Sequence, residues 1–234
     1  MTCIVGAGGF IGKHFAKAFP EALALTHKDL DLLDPIATRE YFTSRHFELI
    51  IFCACVGGRR TSADDQRVFA DNVSMFENVY TCARYSRFVW FSSGADGTPY
   101  GNAKRYIEQR VATNPRVNTY KLWGCFGPGE ASHRFFTTGL NGKLMIERDR
   151  YFDFVHVNDL IHIVKTVQEP LVNVVYPEKY KLSELAEMAG FDYMIKEPGL
   201  DPPYIGHQNV PLVLPPLKER IHYLHNESGY NRNW

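Results

Sequence analysis

The sequence predicts an α/β fold, a doubly wound parallel sheet carrying a small C-terminal lobe. Three observations lead there. Short apolar runs alternate with amphipathic helical patterns through the first 125 residues. The first run ends directly in a glycine cluster, Gly6-Ala7-Gly8-Gly9, that opens a helical pattern. The third run, ELIIFCACV at residues 48–56, is apolar almost throughout, as a strand buried on both faces must be.

Residues 2–5 form the first strand. Residues 10–19 place Phe10, Ile11, Phe15, Ala18 and Phe19 at helical spacing, and Pro20 ends that helix. Residues 22–25 are a weak second strand. Residues 35–45 are helical, with Asp34 as N-cap and Pro35 at the first helical position. The strand at 48–56 follows. A long helix at 68–85 then lines up Val68, Phe69, Val73, Phe76, Val79 and Tyr80 on one side. Residues 88–91 are a strand, 100–112 a helix and 117–122 another strand. Repeated βαβ units imply a parallel sheet with helices on both faces.

The last third reads differently. Residues 151–157 are strand-like, 159–167 helical, and 173–176 a short strand. Residues 183–189 are a short helix with Ser183 as N-cap. Residues 198–216 are rich in proline, glycine and polar side chains. The expected division is a Rossmann-type core at 1–125 and a small lobe with a C-terminal tail at 126–234. The lobe is interwoven with the core, not an independent domain.

Composition narrows the function. Lys plus Arg and Asp plus Glu each number 26, so the net charge is zero. That counts against nucleic-acid binding driven by bulk positive charge. No apolar run approaches the roughly 20 residues of a membrane span. Met1 leads straight into a strand, without the pattern of a signal peptide. The five cysteines, Cys3, Cys53, Cys55, Cys82 and Cys125, show no CxxC spacing. They are expected as free thiols in a reducing, cytoplasmic compartment.

The glycine turn carries the first functional signal. Gly6 permits a tight turn, and Gly9 lets backbone approach a pyrophosphate. Gly12 allows close helix–strand packing, while Phe10 and Ile11 open the helix whose N-terminus faces the anion. An NAD-selective site places an acid at the end of the second strand, for the ribose 2′-hydroxyl. Here Leu25-Thr26-His27-Lys28 precedes the first acid, Asp29. His27 and Lys28 suit a 2′-phosphate, and a solvated surface pair is the competing reading. NADP is expected in preference to NAD.

The second signal is catalytic. Ser92-Ser93 ends the strand at 88–91, and Tyr100 and Lys104 lie four apart on one helix face. A phenol ionises near pH 10, too high for proton transfer near neutrality. A neighbouring ammonium favours the phenolate. A serine hydroxyl can hold a substrate oxygen while Tyr100 moves the proton.

With these residues the sequence resembles the extended short-chain dehydrogenase/reductase (NAD-dependent epimerase/dehydratase) family. It is most similar to that family's GDP-L-fucose synthase-like nucleotide-sugar reductases. The matching pieces are GAGGFIG at 6–12, DLDLLD at 29–34, CACVGG at 53–58, FVWFSSG at 88–94, YGNAK at 100–104, FGPG at 126–129 and FVHVNDL at 154–160. They fall in family order over roughly residues 1–190.

The resemblance implies an NADP-dependent reductase of a nucleotide-linked 4-keto-6-deoxy sugar, with 3,5-epimerisation as an open extra. Ser93, Tyr100 and Lys104 would be the reductase triad, and Lys104 would also hold the nicotinamide ribose. Asp31 and Leu32 would lie by the adenine. Ala54, Cys55 and Val56 would line the ribose and pyrophosphate. His133, after Ser132, would protonate a sugar carbon. Asn72 resembles an asparagine that supports the backbone near the site. A homodimer through the helices at 68–85 and 100–112 would follow many relatives. A nucleotide-sugar 4-epimerase with retained cofactor, and a non-catalytic NADP(H)-binding regulator, are the alternatives.

Three departures stand out. Ala95 occupies the place of the relatives' epimerisation cysteine. Ser93-Gly94-Ala95 replaces the Thr-Asp-Glu of the dehydratases. Only six residues separate Ser93 from Tyr100, a far shorter loop than the family's.

Other polar residues carry blander readings. His133, as a lone histidine, is equally a surface or capping residue. His156 reads as structural, with Asn158 or Asp159 starting the next helix. Cys53 and Cys55 share a strand face and read as core. His222 and His225 lack a third ligand, so no metal is expected. Arg59 and Arg60 suit either a diphosphate or solvent.

Overall fold

A computed structural model describes residues 1–58 and 63–226. Arg59, Arg60 and the side chain of His225 lie outside the described residues. The chain divides into two compact units. One comprises residues 1–121 and 168–172, the other residues 122–167 and 173–234.

The first unit is built on alternating strands and helices. In order these are β1 (Thr2–Val5), α1 (Phe10–Ala18), β2 (Leu23–Leu25), α2 (Pro35–Thr43), β3 (His46–Phe52), α3 (Gln66–Cys82), β4 (Arg84–Ser93), α4 (Pro99–Val111) and β5 (Val117–Leu122). The sheet runs β2-β1-β3-β4-β5 and is completed by β9 (Leu171–Asn173). β1 pairs in parallel with both β2 and β3, and β3 with β4. The strand order therefore reverses at β1 and β3. At such a switch point the carboxyl ends of the strands open a crevice for ligands.

The core follows from the apolar pattern. Ile50, Phe52, Phe88 and Trp90 of β3 and β4 meet Phe76 and Val79 of α3, all of them buried. Phe76 meets Trp90 edge-on at 5.2 Å and Phe52 at 5.5 Å, a favoured aromatic arrangement.

Helix caps match local chemistry. The Asp34 carboxylate accepts from the N–H groups of Ile36 and Ala37, with Pro35 opening α2. Asp65 caps α3 through Arg67 and Val68. Thr98 caps α4 through Gly101, and Pro99 supplies its first residue.

Several boundaries differ from expectation. The strand expected at 48–56 starts two residues earlier and ends at Phe52. Beyond it Cys53 is half-buried and Cys55 exposed, so Cys55 is not a core residue. The long helix stops at Cys82, because Arg84 and Tyr85 pair with His46 and Phe47 of β3. Tyr85 is thus buried strand, although its spacing suits a helix.

The second unit contains elements that the sequence did not announce. They are β6 (Cys125–Phe126), α5 (Phe135–Asn141), β7 (Leu144–Asp149), β10 (Tyr193–Leu200) and α8 (Leu217–His222). With them stand β8 (Val155–His156), α6 (Val157–Thr166) and α7 (Leu182–Met188). β6 pairs with β8 and β7 with β10, both in parallel. Phe126, Phe135, Phe136, Phe154 and Phe191 form the aromatic centre of this unit.

Two caps here correct the sequence reading. Lys181, not Ser183, occupies the N-cap of α7. Ser183 instead donates its hydroxyl to the Asp149 carboxylate at 2.6 Å. His156 is itself the N-cap of α6, its Nδ1 accepting from Asn158 N–H at 3.3 Å. Among the described residues no helix is long and apolar enough to cross a membrane.

Candidate active site

The glycine turn leaves β1 at the switch point. Gly6 has a φ of +84°, which favours glycine. A Cβ there would come within 2.5–2.9 Å of the backbone of Cys53 and Ala54. The N–H groups of Gly6 and Ala7 both donate to the Leu25 carbonyl, tying the turn to the end of β2. A Cβ on Gly12 would collide with the Gly6 carbonyl and the Ala7 Cα, so α1 packs directly on the turn. Gly8 and Gly9 are exposed, and Gly9 is the N-cap of α1 without a side-chain partner. That leaves backbone N–H groups at a helix N-terminus open to an anion. Phe10 and Ile11 are half-buried beside them.

The turn after β2 exposes His27 and Lys28. The acid that follows is used locally. Asp29 Oδ2 accepts from Thr26 N–H at 2.8 Å and from Thr26 Oγ1 at 2.7 Å. These bonds pull its carboxyl below the ordinary aspartate value. Asp31 is exposed and accepts from Leu33 N–H, while Leu32 is buried and its carbonyl is held by Asn78.

Ala54, Cys55 and Val56 follow β3. Asn72, buried in α3, fixes this loop by a reciprocal pair of bonds with the backbone of Val56. Gly57 and Gly58 both have positive φ. At Gly58 a Cβ would press against the Tyr100 ring at 3.0–3.1 Å. The ring of Tyr100 thus rests on a position that only glycine fills well.

The residues expected as a triad come from β4 and α4. Ser93 ends β4, and its Oγ accepts from Ala95 N–H at 3.1 Å. That bond occupies a lone pair and leaves the hydroxyl proton to donate. The short loop to Tyr100 closes against α4, since a Cβ on Gly101 would strike the Ala95 carbonyl. An Arg105–Asp96 ion pair joins the same segments. One turn beyond Tyr100, Lys104 is 5% exposed. Its Nζ donates to the Phe91 carbonyl at 2.9 Å and lies 5.3 Å from the Tyr100 ring centroid. Burial holds its ammonium below the ordinary lysine value, with the Cys55 and Cys53 thiols opposing that shift. On the same side, Glu108 accepts from Ser92 Oγ at 2.7 Å and pairs with Lys121, so α4 is also fixed one turn further on.

Sequence reasoning missed two contributors to this geometry. Trp90 lies under Lys104, with Nζ 4.6 Å from its ring. Strand alternation puts Trp90 on the same face as Ser92, but not which helix covers that face. Gly58 was visible only as half of a glycine pair.

His133 belongs to the second unit, exposed in the loop before α5. Three residues earlier Glu130 is buried. It accepts from the N–H and hydroxyl of Thr137 at 3.3 and 3.1 Å. Burial raises its carboxyl to about 7, against the opposing charge of Arg134. Among the described residues no group of three His, Cys, Asp or Glu side chains is placed to share a metal ion.

Comparison with known proteins covers most of the chain. The NAD dependent epimerase/dehydratase family model matches residues 2–183. No curated protein matches at the level of sequence. Solved structures do match in fold. The dTDP-4-dehydrorhamnose reductase of Bacillus anthracis, in complex with NADP, superposes with a TM-score of 0.77 at 16% identity, over 97% of this chain and 99% of that one. The GDP-mannoheptose C4 reductase of Campylobacter jejuni, with NADP bound, gives 0.73 at 16%, over 96% of each chain. A GDP-L-fucose synthetase from Naegleria fowleri, bound to NADP, gives 0.70 at 15%, over 96% and 91%.

Proposed function

The chain belongs to the NAD-dependent epimerase/dehydratase family, and we propose that it is an NADP-dependent reductase of a nucleotide-linked 4-keto-6-deoxy sugar. The observation that carries this reading is the Lys104 ammonium, buried one helical turn beyond Tyr100 and bonded to the strand that ends in Ser93.

The residues fit the cofactor. Gly6, Gly9 and Gly12 shape the turn, and the N–H groups at Phe10 and Ile11 would hold its pyrophosphate. Asp31 and Leu32 would lie by the adenine, and Ala54, Cys55 and Val56 by the ribose and pyrophosphate. His27 and Lys28 would hold the 2′-phosphate. Support for NADP comes from Asp29, whose Oδ2 is engaged by Thr26. When bound, the nicotinamide supplies a hydride to the sugar's C4 carbon.

The protein supplies orientation and a proton. Ser93 donates its hydroxyl proton to the keto oxygen while one of its lone pairs accepts from Ala95 N–H. Tyr100 transfers its phenolic proton to the same oxygen. The Lys104 ammonium stabilises the phenolate left behind, and also binds the nicotinamide ribose. His133 is assigned to protonation of a sugar carbon, should inversion precede reduction. A homodimer through α3 and α4 is part of the proposal. Tyr106 of α4, 46% exposed beside Phe69 of α3, supports that surface. Light scattering tests it, and a monomeric mass refutes it. The free thiols suit a cytoplasmic setting.

The test is NADPH consumption, followed by absorbance, with GDP-4-keto-6-deoxymannose and its dTDP and CDP counterparts. Turnover with one of them, abolished by Tyr100→Phe while NADPH still binds, is the expected result. Interconversion of a nucleotide sugar without net NADPH loss would instead favour the 4-epimerase. Cofactor binding without any turnover would favour a regulator.

A further inference from the structure

Lys104 carries its charge in unusual company. Its ammonium is buried, and among the described residues no carboxylate pairs with it. Among the described residues the groups around it come from three segments. From β4 come the Phe91 carbonyl at 2.9 Å and the Trp90 ring at 4.6 Å. From its own helix comes the Tyr100 ring at 5.3 Å. From the loop after β3 come the Cys53 and Cys55 thiols. Glu108, the next acid along the helix, is held by Ser92 and Lys121. A buried cation without a counter-ion loses its proton readily unless something replaces hydration.

Trp90 is an odd choice for this position. It is 1% exposed, and its Nε1 has no hydrogen-bond partner among the described residues. A buried unpaired N–H is a cost that phenylalanine would avoid. Tryptophan offers in exchange the strongest π face for a cation. We propose that Trp90 is a positioning residue, whose indole face holds the Lys104 ammonium charged and aligned beneath Tyr100. The contact stands in for the missing carboxylate. It attracts the cation without competing for a proton.

Its catalytic consequence rests on the reductase reading, but its effect on Lys104 does not. The decisive measurement therefore needs no turnover. Protein labelled with 13C-lysine is titrated by NMR, and the Cε resonance of Lys104 is assigned with Lys104→Arg. Its midpoint is compared in wild type, Trp90→Phe and Trp90→Leu. The expected order is wild type highest, then Phe, then Leu, with Leu lower by about one pH unit. Because Leu can disturb the core, a second series keeps the shape. Fluorinated tryptophans are incorporated at position 90 alone, and each added fluorine should lower the midpoint further. A purely structural role follows side-chain volume and is blind to fluorination. A midpoint that fluorination does not move overturns the proposal, whether or not the enzyme turns over.

Discussion

Asn72 of α3 and Val56 of the loop after β3 exchange two hydrogen bonds, Val56 N–H to Oδ1 at 3.1 Å and Nδ2 to the Val56 carbonyl at 2.9 Å. One buried side chain thereby satisfies both polar groups of a residue that has left the sheet. Asn72→Ala would leave them unpaired. The expected cost is about 2 kcal/mol of stability, read as a lower urea midpoint at unchanged slope. NADPH affinity should fall about tenfold in the same variant, because the loop it anchors borders the proposed cofactor site.

Lys28 is exposed in the turn after β2, and Asp29 beside it is turned onto Thr26. Loss of a charged hydrogen bond to a 2′-phosphate is worth about tenfold in affinity or more. Lys28→Ala should therefore weaken NADPH binding by that factor and leave NADH binding unchanged. Equal affinities of wild type and variant for NADPH, by calorimetric titration, would remove Lys28 from the site.

Glu130 makes stability depend on pH. Its carboxyl is raised from the ordinary 4.5 to about 7 by burial, so the folded state holds the proton more tightly than the unfolded state. The contribution is fully present below pH 4.5 and is lost as pH rises through 7. Its size is about 3 kcal/mol across that window. Glu130→Gln has no proton to lose and keeps an acceptor for Thr137. The stability of the variant relative to wild type should climb between pH 4.5 and 7 and level off above. Parallel curves for the two proteins would contradict this.

Asp159 is 2% exposed in α6, and Arg220 of α8 meets it with two guanidinium nitrogens, while Tyr176 donates its hydroxyl. Arg220→Met removes the cation and strands a buried carboxylate. The expected loss is about 3 kcal/mol, measured by thermal unfolding. Adding Asp159→Asn should recover part of it, since the remaining group is then neutral.

The sequence by itself determined the order of strands and helices in the first unit and where its polar residues stand along them. The glycine turn, the strand carrying Ser93 and the Tyr100–Lys104 spacing are local, so periodicity and residue type suffice to read them. Asp34 and Pro35 announced α2 for the same reason. Boundaries set by pairing were not local. β4 begins at Arg84 because β3 lies beside it, which a helical spacing through Tyr85 concealed. In the second unit β6 is two residues long, too short for any period to register, and β8 is only the last part of the stretch at 151–157 that reads as strand. β10 is half-buried at Tyr193 and exposed over its other seven residues, so it has no buried face to reveal it; it exists because β7 pairs with it. Tertiary structure alone decided the environment of Lys104. The chain order places Trp90, Phe91, Cys53 and Cys55 far from it, and only the packing of α4 on β4 makes its ammonium a buried cation with an aromatic neighbour. Charge state depends on such surroundings, and surroundings are assembled from residues distant in sequence.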